Sequence, residues 1–122
     1  MTNKELVLRF YDEVFNKWDI SNLDNFMHDN YKQHNPKVLD GKYGFIEFTK
    51  MFFSLKPKAE IYHILEDCDL VCVFFKCTMT TNNSVNKVFD MYRIKNGKFA
   101  EHWDSVEHNL QNIECFHKNG LF

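Results

Sequence analysis

An α+β fold, in which three N-terminal helices pack on one face of a curved, largely antiparallel sheet, is what the order of patterns along this chain predicts. Two observations carry the prediction. Apolar residues recur at helical spacing up to about residue 54. From residue 58 onward the pattern changes to four β-rich or alternating runs, at 58 to 66, 69 to 81, 86 to 95 and 98 to 107. Consecutive strands usually pair, so the simplest architecture is a cone-like half-barrel closed by the first and third helices, with its interior as a pocket.

The first helix is expected over residues 3 to 17. Thr2 with Glu5 reads as a capping box, and Leu6, Val7, Phe10, Tyr11, Val14, Phe15 and Trp18 form one stripe. Ser21 with Asp24 repeats the capping signature for a short second helix carrying Leu23, Phe26 and Met27. A short strand and loop follow at Tyr31-Lys32-Gln33-His34-Asn35-Pro36, which Pro36 keeps non-helical. The third helix, about 42 to 54, presents Phe45, Ile46, Phe48, Thr49, Phe52 and Phe53 and stops at Lys56-Pro57. Asp67 to Asp69 makes a tight turn between the first two long strands.

The last hairpin carries the chemistry. Asp90 lies before the turn signal Lys95-Asn96-Gly97-Lys98, and Glu101-His102-Trp103-Asp104 follows it. A two-residue Asn96-Gly97 loop would set Asp90 opposite Trp103 and turn Asp104 to the other face. A three-residue loop with Gly97 left-handed in a bulge would set Asp90 opposite His102 and Val88 opposite Asp104. Asn-Gly alone favours the first loop. The apolar pattern leans to the second, in which Val88, Tyr92, Ile94, Ala100 and Val106 join the acids in a mainly apolar wall, as small-molecule pockets are lined.

Composition bounds the class. The 122 residues, with two prolines and four glycines, fit one domain over 1–122, long enough to bury roughly two thirds of the unfolded surface. A net charge of -2 with scattered lysines argues against nucleic acid as partner. Thirteen phenylalanines supply bulky walls for a core or cavity. Cys68, Cys72, Cys77 and Cys115 lack Cys-x-x-Cys spacing, and the first three fall in one apolar strand region, so buried free thiols are expected. No apolar leader and no run of membrane length occur, which makes the cytoplasm the default location.

The segments Tyr31-Lys32-Gln33-His34-Asn35-Pro36, Asp40-Gly41, Asp69-Leu70-Val71, Phe89-Asp90-Met91-Tyr92-Arg93-Ile94 with Gly97-Lys98, Glu101-His102-Trp103-Asp104 and the ending Asn119-Gly120-Leu121-Phe122 run in order over nearly the whole chain. In these segments the chain resembles the SnoaL-like polyketide cyclase family of the nuclear transport factor 2-like superfamily. The resemblance implies a cone-shaped α+β fold with a deep apolar cavity, no metal or organic cofactor, and often a homodimer through the outer sheet face. It also implies that Asp104 matches the general acid/base of an intramolecular aldol closure. The position of Asp90 is a histidine in the characterised cyclases, a departure inside the site, and the resemblance favours the bulged turn because both positions then face the cavity.

A carboxylate enclosed by aromatic and aliphatic side chains loses hydration, and a second one nearby penalises double ionisation, which suits such a pair to moving a proton near neutrality. Acid/base assistance is worth about 10² to 10⁴ in rate. That points to isomerisation, cyclisation or dehydration at activated positions. Asp104, Asp90 and His102 are the expected catalytic groups, with His102 orienting Asp104 or donating to a substrate oxygen. His34 and Asn35 at the pocket mouth, with Tyr11, Phe15, Trp18, Phe52 and Tyr92, are the expected contacts for a small hydrophobic or aromatic ligand. A metal held by His34, His102, Asp90 and Asp104 lacks short ligand spacing and is not expected. An epoxide hydrolase of the same superfamily would need an arginine between two aspartates, and Arg93 points to the other strand face. The competing classes are a non-catalytic binder of the same ligand and an interaction module using the outer sheet face. Apolar outer positions of 69 to 81 and 98 to 106 would supply that face, with a homodimer as its milder form.

Overall fold

The computed structural model describes all 122 residues. Helix α1 (Asn3–Phe10) begins at the expected capping box: Glu5 N–H donates to Thr2 Oγ1 at 3.1 Å and Thr2 N–H to Glu5 Oε2 at 3.0 Å. It is shorter than expected, because the backbone widens into one π-helical turn, Tyr11–Phe15, where Asn16 N–H reaches back to the Tyr11 carbonyl at 2.8 Å. The chain then leaves the helix. Trp18 takes a left-handed φ of 54° and gives its indole N–H to the Pro57 carbonyl at 2.7 Å, away from the stripe it was expected to continue.

The expected second helix is a single 3-10 turn, Leu23–Asn25, so two α-helices rather than three cover the sheet. Ser21 does not cap it; its own N–H is taken by Asp19 Oδ1 at 2.9 Å. Helix α2 (Gly41–Phe52) runs on into a 3-10 turn, Phe53–Leu55, ahead of Lys56-Pro57 as the proline predicts.

Five strands follow the order β1-β5-β4-β3-β2: β1 (Met27–Gln33), β2 (Pro57–Asp67), β3 (Leu70–Met79), β4 (Ser84–Lys95) and β5 (Lys98–Glu107). All pairs are antiparallel except β1 with β5, and the edges β1 and β2 do not meet, leaving a curved, unclosed sheet. Strict alternation on β3 puts Val71, Val73, Phe75, Cys77 and Met79 inside. These meet Leu6, Val7, Phe10, Val14 and Phe15 from the first helical segment. Phe10 packs edge-on to Phe99 with centroids 4.9 Å apart, and Phe99 stacks on Tyr92 at 4.3 Å. Such pairs add about 0.5 to 1.5 kcal/mol each beyond their area.

The β4–β5 turn resolves the two alternatives by combining them. Asn96 and Gly97 both have positive φ, 51° and 75°, and Lys95 pairs with Lys98, which is the two-residue type I′ loop that Asn-Gly favours. The extra residue of the bulged alternative is present too, but within β5: Ile94 pairs with Phe99 and Arg93 with Glu101, leaving Ala100 unmatched. Phe99 rather than Ala100 therefore faces the core, and Asp90 stands opposite Asp104 rather than opposite His102.

All four cysteines are unpaired, but only Cys77 is buried in the strand region, where burial pushes its thiol up to about 12. Cys68 sits exposed in the β2–β3 turn with φ 54°, and Cys115 is exposed in the C-terminal segment. Cys68 stands between Asp67 and Asp69, in the tight turn expected there, so it belongs to the turn and not to the apolar strand region.

Candidate functional site

The concave face of the sheet and the apolar faces of the helices enclose a cavity of about 680 Å³. Its wall is mainly apolar, with Phe15, Phe45, Phe48, Phe52, Phe53 and Phe75 as the bulky members, and Asp90, His102, Asp104 and Asn35 also line it. That mix matches small-molecule sites, which are mainly apolar with a few convergent polar groups.

Asp90 is the buried centre of these polar groups. Tyr11 donates its phenol to Asp90 Oδ2, Tyr92 does the same at 3.2 Å, and the two phenol oxygens lie 2.8 Å apart. Burial, and next the charge of Asp90, push both phenols well above the ordinary tyrosine range, and Tyr31 is raised for the same reasons. They are donors at any physiological pH. A raised tyrosine contributes stability that is present below its unfolded value and lost as pH rises, so stability is expected to fall above about pH 10. Absorbance at 295 nm should show Tyr11, Tyr31 and Tyr92 ionising only within the alkaline unfolding transition followed by circular dichroism; ionisation ahead of it would contradict the burial.

The other Asp90 oxygen, Oδ1, faces His102 Nε2 at 3.0 Å, and His102 Nδ1 faces Gln33 Oε1 at 2.9 Å. Gln33 Oε1 also accepts the backbone N–H groups of His34 and Asn35, at 3.0 and 2.9 Å, while Gln33 Nε2 donates to the Tyr31 hydroxyl at 3.0 Å. Oε1 is thus an acceptor, and Nδ1 must carry a hydrogen. The Nε2···Oδ1 contact then needs one more proton, whichever atom holds it. The Asp90–His102 pair is consequently neutral as a unit, which makes it tolerable to place Asp104 directly across the ladder.

Asp104 has one protein partner. Asn35 Nδ2 donates to both of its oxygens, at 3.2 and 2.9 Å, and Asn35 is oriented by the Lys37 N–H, which donates to Asn35 Oδ1 at 2.9 Å. The extended backbone before Pro36 and the parallel register Gln33↔His102 carry Asn35 to this place. Asp40 anchors the same segment by accepting the Gln33 N–H at 2.8 Å.

The expected site residues therefore separate. Asp90, Asp104, His102, Asn35, Phe15, Phe52 and Tyr92 line the cavity. Tyr11 lies beneath Asp90, fully enclosed, and is not part of the lining. Trp18 is outside it, at Pro57. His34 points to the outer surface, where it stacks on Trp103 at 4.9 Å and bonds Glu101 at 2.7 Å. Period-two alternation is the reason: Tyr31, Gln33 and Asn35 share one direction, so His34 takes the other. His102 does not orient Asp104; its nitrogens serve Asp90 and Gln33. Gln33 is the member that sequence reasoning passed over, although the same alternation places it beside Asn35. Arg93 is bonded to Asp69 and Glu101 on the outer face, away from both acids.

Asp90, His102 and Asp104 bring possible ligand atoms within 4.8 Å of one another. Both oxygens of Asp90 and both nitrogens of His102 are already hydrogen-bonded, so a cation would have to break that network; the donor set fits proton sharing better than metal ligation.

No helix is long and apolar enough to cross a membrane. No curated protein matches the sequence closely enough to report. Solved structures do match in fold. TsrD from Streptomyces laurentii superposes with a TM-score of 0.71 at 18% identity, covering 88% of this chain and 92% of that one. A SnoaL-like polyketide cyclase from Agrobacterium tumefaciens gives 0.72 at 17% identity over 88% and 92%. Wild-type IdmH from Streptomyces antibioticus gives 0.70 at 16% identity over 84% and 90%. The family model for SnoaL-like polyketide cyclases matches residues 5–109, so the chain is a member of the SnoaL-like polyketide cyclase family with the nuclear transport factor 2-like fold.

Proposed function

We propose that this protein performs cofactor-free acid/base chemistry of the isomerase, cyclase or lyase type on a small hydrophobic or aromatic carbonyl compound, with Asp104 as the base. One observation carries the reading: Asp104 is a carboxylate on the wall of an apolar cavity whose sole protein partner, Asn35, donates to it and leaves lone pairs facing the space.

In the step proposed, an Asp104 oxygen takes a proton from the carbon next to a substrate carbonyl. The C–H electron pair becomes the enolate, and Asp104 becomes the acid. Returning the proton to another carbon gives isomerisation. Attack of the enolate carbon on a second carbonyl gives ring closure, with the new alkoxide taking the proton back. Tyr11, Tyr92 and His102 are engaged with Asp90, so the one phenol hydrogen left to meet an oxyanion is that of Tyr31, whose hydroxyl accepts from Gln33 and lines the cavity, a single neutral donor. The substrate must supply its own activation, as a β-dicarbonyl or aryl ketone does. Asp90 with Tyr11, Tyr92, His102 and Gln33 then holds the wall rigid and keeps the charge next to Asp104 single.

The test is exchange of the α-protons of 2-tetralone in D2O, followed by NMR. The native protein should accelerate it, and Asp104→Asn should lower the rate by about 10² to 10⁴ while tetralone affinity stays within a few fold. Binding without acceleration by the native protein would leave a non-catalytic binder.

The partner we propose for the outer sheet face is a second copy. Tyr62, Phe74 and Phe89 form an aromatic patch there, with Phe89 48% exposed, and Phe122 covers part of it by stacking on Tyr62 at 5.3 Å. Sedimentation velocity at micromolar concentration should find a dimer. The four unpaired cysteines support a reducing location, which we read as the cytoplasm.

A further inference from the structure

The cavity has a second polar end that the Asp104 chemistry does not use. Asn86 faces inward from β4 and is only 7% exposed, with cavity wall around it. Its Oδ1 accepts the Asn109 N–H at 3.0 Å. That settles which way the amide points, because a backbone N–H needs the oxygen. The segment after β5 is itself clamped to β4: Leu110 N–H donates to the Val85 carbonyl at 2.7 Å, and Val85 N–H to Gln111 Oε1 at 3.1 Å. Asn86 Nδ2 is left with no protein partner. Nδ2 is not sealed off but opens to the cavity, so a ligand that covers it without accepting from it leaves a dry donor, at a cost of about 1 to 3 kcal/mol.

We propose that Asn86 is a specificity-determining anchor for the end of the substrate remote from the reacting carbon. Asn86 and Asp90 are four residues apart on one strand face, about 13 Å at the usual rise, and Asp90 stands opposite Asp104. Between the two ends the wall is apolar: Val88, flanked by Phe75 on β3 and Val106 on β5. The ligand class that satisfies both ends is an elongated, mostly apolar molecule with a carbonyl at one end and a hydrogen-bond-accepting oxygen at the other. A molecule apolar at its far end would leave Nδ2 dry. This inference rests on the reading of the cavity as the ligand site and adds a requirement to it.

The experiment compares two probes that differ only at the far end, undecan-2-one and undecane-2,10-dione, by displacement of a fluorescent naphthalene dye from the native protein. A cavity without an anchor prefers the monoketone, since the second carbonyl must be desolvated for nothing. With the anchor, the dione should bind about threefold to tenfold tighter. The preference should disappear in Asn86→Leu and reverse in Asn86→Asp, which keeps an acceptor for the Asn109 N–H but replaces the donor. In the unmodified protein the Asn86 side-chain amide resonance should shift with the dione and not with the monoketone, a readout that needs no variant to fold. Equal or weaker binding of the dione overturns the anchor and leaves the cavity reading intact. Failure of both ketones to bind overturns both.

Discussion

Asp90→Ala is expected to destabilise the protein by about 3 to 5 kcal/mol, the usual consequence of removing one partner of a buried charged network. Tyr11, Tyr92 and His102 all aim at this carboxylate, and Tyr11, enclosed beneath it and away from the cavity, has no other carboxylate to turn to when it is gone. A chain of this length has roughly 6 to 18 kcal/mol of stability in all, so the loss is a large part of it. Asp104→Asn should behave differently. Asn35 can still donate to the remaining side-chain oxygen, and the group faces the cavity, so the change in stability should stay under about 1 kcal/mol. Urea unfolding of both variants separates the roles: a buried structural acid at 90, a working acid at 104. Similar midpoints for the two would contradict that division, whatever the activity measurements say.

Gly44→Ala should be comparably damaging for a steric reason. Gly44 lies inside α2, and a Cβ there would stand 1.7 Å from the Leu39 carbonyl oxygen and 2.3 Å from its carbon. Those atoms are backbone, so no rotamer change relieves the clash. Either α2 shifts or the Leu39-Asp40 segment does, and Asp40 holds the Gln33 end of the site. Overpacking of this kind costs about 1 to 3 kcal/mol or more, and a backbone clash this close lies at the upper end, against the gain of about 1 kcal/mol that alanine normally brings over glycine to a helix interior. Thermal melting checks it; a raised Tm for Gly44→Ala would show that the 39–40 segment yields freely. Loss of Asn35 alignment on Asp104 should accompany the destabilisation, visible as weaker α-proton exchange in the folded fraction.

The sheet shows how far local chemistry reaches. Alternation alone placed all four long strands, and Asn96-Gly97 forms the two-residue type I′ loop that its local preference favours, although the apolar pattern leans to the three-residue loop. It did not reveal the bulge at Ala100. The two-residue loop already turns Phe99 inward onto Phe10 and Tyr92; the bulge after it lets His102 and Val106 join Phe99 on the concave face and sends Glu101 and Trp103 outward, a competition settled between elements far apart in sequence. Without it Asp104 would face outward. The π-helical turn at Tyr11–Phe15 is of the same kind: the stripe was legible, but the widening that seats Tyr11 under Asp90 and releases Trp18 answers to the sheet below.

Spacing along one or two neighbouring segments is enough for the class of fold, the order of its elements and the pair of acids on one hairpin, whereas the family is legible as a resemblance spread over nearly the whole chain. Packing between distant elements encloses Asp90 with two phenols and a histidine, brings Gln33 rather than His34 to His102, and leaves the Asn86 amide without a protein acceptor in the cavity. Those facts depend on the parallel pairing of β1 with β5 and on the C-terminal segment folding back on β4, contacts 69 and 23 residues apart along the chain. Hydrogen bonds over such separations form only when the intervening elements pack, so no local pattern encodes them.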